Sequence, residues 1–300
     1  MTEPIRIAAA QYPLEAFPTL ADYRAKLECW VAEAAGRGAR LLVFPEYGAM
    51  EYAAAAGEAV AGDLGESLAA VSRALGEMDA AHAQLAREHN VHILAASGPS
   101  GRSGGRYVNA ARLFSPTGKV GVQEKLIMTP FEREWGISGG QDLRVFDTAL
   151  GRIGVAICYD GEFPLLVRAQ AEAGAEIILV PSCTEFASGY HRVRTAALAR
   201  ALENTCVTVL SPTVGDAPWS PAVDHNSGAA GVFVPADHSF SETGVLAEGT
   251  FNHPQWVYAD VDLDALRALK SRGEMRNSAD WRNQPGASPL ARHVELVALA

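Results

Sequence analysis

Three residues able to hydrolyse an acyl compound without a cofactor stand at the ends of apolar runs in this chain. Glu46 closes the run 39–46, Lys125 lies near the end of 119–126, and Cys158 follows 146–157. A carboxylate beside a thiol can take its proton, and the resulting thiolate can attack a carbonyl or nitrile carbon. A nearby ammonium can hold the developing oxyanion together with the backbone N–H of Tyr159. In α/β sheets functional groups gather where strands end, so these positions allow the three to converge although they are far apart in the chain. Each alone has a plainer reading: an inert buried cysteine, a solvated or helix-capping carboxylate, a surface lysine.

The elements that must carry them follow from hydrophobic patterning. The continuous apolar run 153–157 reads as a strand buried on both faces, and the Ala/Glu/Leu-rich 165–173 as a helix, which places Cys158 at a strand-to-helix corner. That corner resembles a nucleophile elbow, and the N-terminus of a helix there predicts a lowered thiol pKa. Strand then helix recurs: 5–11 with 20–35, and 39–46 with 66–88. Residues 91–97, 107–115 and 119–126 are joined by the Gly-rich 102–106 and by Pro116-Thr-Gly118, a spacing suited to consecutive hairpins. The segment 128–140 is rich in Gly and turn residues and is expected to be a pocket-lining loop. Further strands are expected at 177–181, 207–214, 231–234 and 255–261, with helices at 190–204 and 262–270. The tail through Gln284-Pro-Gly286 has the polarity of an extended arm. Hairpins among α/β units suggest two sheets inside and helices outside. No linker divides the chain, so one domain over 1–300 is expected, with 272–300 a C-terminal extension.

Composition narrows the function. With 300 residues the chain can bury a large core. A formal net charge of -10 without Lys/Arg clusters argues against nucleic acid. No run approaches the roughly 18 apolar residues needed to span a bilayer, and no basic region leads into an apolar stretch at the N-terminus, which predicts a soluble cytoplasmic protein. Cys29, Cys158, Cys183 and Cys206 are scattered and read as free thiols. No Gly-x-Gly-x-x-Gly follows a strand, and Ser100-Gly-Arg-Ser-Gly-Gly105 lacks the ending of a phosphate cradle, so neither dinucleotide nor NTP is supported. His82, His89 and His92 lack zinc spacing and are expected on a helix surface; no metal or other cofactor is implied.

Taken in order, Phe44-Pro-Glu-Tyr47, Glu124-Lys-Leu126 with Phe131-Glu132, and Ile157-Cys-Tyr-Asp-x-Glu-Phe-Pro164 resemble the signature blocks of the nitrilase superfamily, the carbon-nitrogen hydrolases. The likeness extends from Ile5 to Val261. It implies an α/β fold of the four-layer αββα type that commonly pairs into homodimers or larger homo-oligomers, and a triad of Glu46 as general base, Lys125 as oxyanion partner and Cys158 as nucleophile. Members often carry a second glutamate after the lysine; Glu132 fits its spacing best, with Glu134 the alternative. Gly139-Gly140 departs from the family's usual Pro-Gly. By position, Tyr47, Tyr52, Phe131, Cys183 and Thr184 are candidates for the substrate pocket.

True nitrilases resemble Cys-Trp-Glu at the nucleophile, whereas Cys158-Tyr-Asp160 looks more like the amidase and carbamoylase branches. Gly161 and Glu162 stand where N-carbamoyl-D-amino-acid hydrolases place arginines, which favours a small amide as substrate over a carbamoyl compound. An N-carbamoyl compound, a nitrile, and a non-catalytic scaffold or thiol sensor are the alternatives. Losing an oxyanion donor typically costs about 10²- to 10³-fold in rate, so Lys125→Ala is expected to be nearly inactive yet folded.

Overall fold

The computed structural model describes residues 3–284 and 293–300. Its first strands are β1 Ile5–Pro13, β2 Leu41–Val43, β3 His92–Arg102, β4 Arg106–Phe114, β5 Val120–Glu124 and β6 Ile137–Ser138. They are followed by β7 Leu143–Thr148, β8 Gly151–Val155, β9 Ile177–Ser182, β10 Val207–Asp216 and β11 His225–Asn226. The last are β12 Gly231–Phe233, β13 Val245–Glu248, β14 Gln255–Val261 and β15 Val294–Ala298. The helices are α1 Leu20–Gly36, α2 Glu51–Ala54, α3 Glu58–Ala61, α4 Leu64–Glu88 and α5 Pro130–Glu134, then α6 Pro164–Glu172, α7 Ala187–Asn204, α8 Leu263–Arg272 and α9 Asn277–Asp280.

The strands run in the order β15-β7-β8-β9-β10-β1-β2-β3-β4-β5. β10 meets β1 only where Tyr12 faces Thr213 and Pro13 faces Val214, so the path divides there into two sheets. Alternation along β1 explains the layering. Ile5, Ile7 and Ala9 share a buried cluster with Leu41, Val43, Ile153, Val155, Ile177 and Val209, the filling between the sheets. Ala8, Ala10 and Tyr12 share another with Leu27 and Val31 of α1 and Val71 and Met78 of α4, the packing of outer helices on the first sheet. Val193 and Ala197 of α7 cover the second sheet. The result is the four-layer αββα sandwich.

The long helices begin where their sequences provide a cap: Thr19 accepts from Asp22 N, and Asp63 from Glu66 N. The predicted hairpins form as β3-β4-β5, antiparallel throughout. A register shift between Ala95 and Gly98 interrupts β3. A Cβ at Gly98 would lie 2.7 Å from the Ala49 side chain, so glycine there lets the turn Gly48–Met50, just beyond Glu46, settle on the sheet.

Three expectations change. The segment 128–140 is not wholly loop: Thr129 caps α5 in a reciprocal capping box with Glu132, with Pro130 in the first helical turn, and β6 follows. Thr129-Pro-x-Glu132 is a helix-start signature that the surrounding glycines mask. His82 and His92 are not surface residues. His82 faces the sheet from α4, stacked on Phe114 and bonded through Nδ1 to the Met78 carbonyl, while His92 is buried on β3. Of the expected extended arm, residues 285–292 lie outside those described. Beyond them Val294–Ala298 adds β15 parallel to β7.

Candidate active site

Glu46 follows β2 at the buried turn carrying Tyr47, whose φ of 54° lies in the left-handed region. Lys125 follows β5 and Cys158 comes three residues after β8. Cys158 itself has φ 48° and opens a tight turn, Cys158–Glu162, that leads into α6. A bulky residue at positive φ is strained, and the two cases flank one cluster. The expected elbow is therefore present.

The side chains converge. Lys125 Nζ lies 2.8 Å from Glu46 Oε1 and 2.7 Å from Glu132 Oε2. The Cys158 thiol lies against Glu46 and donates to the Cys183 carbonyl at 3.9 Å. Glu46 is 1% exposed, Lys125 1%, Glu132 2% and Cys158 5%. Glu132 Oε2 also accepts from Thr129 N and Thr129 Oγ1, and its Oε1 from the Tyr47 hydroxyl at 2.8 Å. Glu46 Oε2 accepts from Cys183 N at 3.0 Å. Glu132 thus joins the cluster, while Glu134 is exposed.

Electrostatics separates the two carboxylates. Burial, against the pull of Lys125 and with the repulsion of Glu132, holds Glu46 above the usual carboxylate range. Burial opposes ionisation of Glu132 as well, but Lys125 and the Thr129 and Tyr47 donors outweigh it and bring Glu132 below that range. Lys125 would be lowered by burial, yet Glu46 and Glu132 drive it up, so it is charged. The thiol departs from expectation: burial first, then Glu46, pushes Cys158 well above the ordinary cysteine value, and Lys125 only partly compensates. A helix N-terminus does not ionise a thiol that is fully buried against a carboxylate. Cys158 rests as a thiol beside Glu46.

Backbone contacts fix Lys125. Its N–H donates to Asn109 O, and its carbonyl accepts Gly140 N, both at 2.8 Å. A Cβ at Gly140 would lie 2.6 Å from Glu124 Cβ, and one at Gly139 2.7 Å from Leu126 O, so the paired glycines let this segment cross the lysine strand closely. The elbow is tied to the same strand: the Asp160 carboxylate accepts Leu126 N at 3.0 Å and Ile127 N at 2.8 Å. Burial pushes Asp160 up to about 7 against those donors. Neither Asp160 in this tie nor Asn109, which contacts both carboxylates, was assigned a role from sequence. Asp160 is signalled only by its place in the Cys158 block, and Asn109 by nothing local.

The pocket candidates divide. Tyr47 reaches the cluster through Glu132. Cys183 touches it through its backbone, while its thiol faces Asn226. Thr184 is turned to Ser227, whose carbonyl accepts its hydroxyl at 2.7 Å. Phe131 is 60% exposed on α5 beside Glu132, and Tyr159 packs edge-on against Phe163. Tyr52 is a correction: it is buried beneath α1, ring against Tyr23 at 4.7 Å and hydroxyl bonded to the Tyr23 hydroxyl, so hydrophobic packing claims it. Among the described residues, Asp237, His238 and Glu274 bring possible metal-ligand atoms within 4.8 Å of one another. Asp237 is already engaged by Ser239 and by Glu274 N, and the group shares no residue with the cluster.

A fold with this constellation at its strand ends is matched by the carbon-nitrogen hydrolase family model over residues 6–271. The chain belongs to the carbon-nitrogen hydrolase family. It is 36% identical over 282 residues to the probable hydrolase YhcX of Bacillus subtilis, covering 93% of this chain but 54% of that protein, so it spans about half of that relative's length. It is 26% identical over 262 residues to the omega-amidase NIT2 of Danio rerio, covering 84% and 87%. Among solved structures, a carbon-nitrogen hydrolase from Helicobacter pylori superposes with a TM-score of 0.74 at 20% identity, covering 94% of this chain and 96% of that one. A variant amidase from Nesterenkonia sp. AN1, with acrylamide added to its active site cysteine, gives a TM-score of 0.67 at 23% identity, covering 93% and 99%. These likenesses carry the fold. No helix among the described residues is long and apolar enough to cross a membrane.

Proposed function

We propose that the protein hydrolyses small amides to a carboxylate and ammonia or an amine through a thioester on Cys158, without a cofactor. The observation that carries this reading is the shared lysine. Lys125 Nζ lies 2.8 Å from Glu46 Oε1 and 2.7 Å from Glu132 Oε2, in a buried cluster that the Cys158 thiol adjoins.

The geometry gives each group a task. As Cys158 Sγ attacks the amide carbon, its proton passes to Glu46, whose raised affinity for a proton suits it to the transfer. Of the three protons on Lys125 Nζ, Glu46 and Glu132 take two, and the third is free for the tetrahedral oxyanion. Tyr159 N–H, in the opening turn of the elbow where a helical segment leaves its first donors unpaired, supplies the second oxyanion contact. Collapse breaks the C–N bond, and Glu46 returns the proton to the leaving nitrogen. Water then gives a proton to Glu46 and attacks the thioester; the second collapse frees the carboxylate, and Glu46 reprotonates the thiol. Glu132, held ionised by Lys125 and its other donors, keeps the ammonium in place throughout.

An amide is favoured over other C–N substrates by the Cys158-Tyr159-Asp160 elbow and by relatives named as omega-amidases and an amidase with a butyramide complex. An ammonia-release screen over short neutral amides, N-carbamoyl amino acids, ureas and nitriles tests this directly. The expected result is fastest release from an amide. Folded protein releasing ammonia only from another class would reassign the substrate, and release from none would leave a scaffold or thiol sensor.

A further inference from the structure

Asn109 of β4 has no exposed surface. Its Nδ2 donates to Glu46 Oε1 at 2.9 Å and to Glu132 Oε1 at 3.3 Å, while its carbonyl accepts Lys125 N at 2.8 Å. Lys125 Nζ bridges the same two carboxylates from the other side. The four side chains thus form a ring in which two nitrogens alternate with two carboxylates. The remaining polar atom of the amide, Oδ1, is buried without a hydrogen-bond partner. A buried acceptor left unpaired is costly. The opposite orientation would aim that oxygen at two carboxylates, so the orphaned atom accompanies the double donation.

Other side chains would serve this position differently. A hydroxyl has one proton and cannot reach both carboxylates at once. A second cation would neutralise the pair and make Glu46 a poorer base; a carboxylate would add repulsion. The amide supplies two protons from one atom and no charge.

We propose that Asn109 is a positioning residue for the reaction, its neutral NH2 group clamping Glu46 and Glu132 around Lys125 so that Glu46 is aimed at the thiol and ionised to take its proton. The inference rests on the Glu46–Lys125–Cys158 reading given above and adds to it a residue that acts through the two carboxylates. Hydrogen bonds to a carboxylate favour its charged form, so removing the clamp raises the pKa of Glu46 and moves the acid limb of kcat/KM to higher pH.

Asn109→Ser and the isosteric Asn109→Asp test it, using the most active amide from the screen. Rates are expressed per reactive Cys158 counted by iodoacetamide mass labelling. Asn109→Ser is expected to lower kcat by about 10- to 100-fold with KM changed far less, and to move the acid limb up by about one pH unit. Asn109→Asp moves it further and keeps the shape of the site if the serine variant does not fold. A purely structural role would lower Tm and the number of reactive sites while each surviving site kept the wild-type kcat and pH profile; that result, in either variant, overturns the proposal. Cys158→Ala in the same assay separates the two readings. Turnover retained there defeats the thioester mechanism, whereas turnover lost there with unmoved Asn109 profiles defeats only the clamp.

Discussion

Lys125 is the residue whose removal the structure makes most informative, because its charge faces two carboxylates rather than one. In Lys125→Met the aliphatic stem is largely preserved, so little cavity opens and the chief loss is the cation. At contacts of 2.8 and 2.7 Å each ion pair is worth about 6 kcal/mol at an effective permittivity near 20, offset by several kcal/mol for burying the ions. Once the cation is gone, the folded protein limits the damage by holding a proton on one carboxylate. The cost is then that of keeping a group protonated that ionises near pH 4.5 when unfolded: about 5 kcal/mol at pH 8 and about 2 kcal/mol at pH 6. The sign follows. A carboxyl whose folded pKa is raised contributes stability that is fully present below its unfolded pKa and lost as pH rises, so the variant is weakest in alkali. This refines the sequence expectation of an inactive but folded lysine variant, which suits a surface lysine and not one that is 1% exposed. Urea unfolding of wild type and Lys125→Met at pH 8, 7 and 6 measures the gap, and Lys125→Met/Glu132→Gln should flatten it. A variant within about 1 kcal/mol of wild type at pH 8, or a gap indifferent to pH, would refute the reasoning.

Asp160→Asn keeps the side-chain shape but puts an NH2 group where Oδ2 accepts Leu126 N at 3.0 Å, leaving that donor only its longer 3.3 Å contact to Oδ1, which also accepts Ile127 N. A loss of about 1–3 kcal/mol in stability is expected, with kcat falling about 10-fold as the elbow loosens from the lysine strand; denaturation and steady-state kinetics check both, and unchanged values would make the tie dispensable. His82 gives a pH test away from the site. Burial lowers its pKa to about 4 from an unfolded 6.5, so the unfolded chain binds the extra proton and wild type loses stability as pH falls through that window. His82→Phe, which can still stack on Phe114, should gain about 2 kcal/mol relative to wild type between pH 7.5 and 5. A difference that does not vary with pH would show that His82 does not titrate on unfolding.

Much of this arrangement was legible in the chain because it is written in local patterns. The apolar runs before Glu46 and Cys158 read as buried strands, and the hairpins around 102–106 and 116–118 are announced by their turns. What remained hidden depends on distant packing. Nothing near Tyr52 indicates that Tyr23, on another helix, would claim its hydroxyl; nothing near His92 indicates its burial on β3. The thiol was misread because a local rule, the helix N-terminus, was applied where burial beside Glu46 dominates. Glu132 shows the reverse: the capping box that starts α5 and the ion pair with Lys125 use the same carboxylate, so a purely local signature marked a residue of the cluster. Asn109 carries no such signature, since its importance arises only when β4 lies beside both glutamates.

The central claim is that an amide is cleaved by the thiol of Cys158 while Glu46 carries its proton. The most direct measurement is ammonia release from the best amide by wild type, Cys158→Ala and Cys183→Ala, each confirmed folded by circular dichroism. The account predicts a fall of at least about 10³-fold for Cys158→Ala and retention of most activity by Cys183→Ala, whose side chain faces Asn226 and contributes to the cluster only through its backbone. Undiminished turnover by Cys158→Ala, or loss confined to Cys183→Ala, would contradict it.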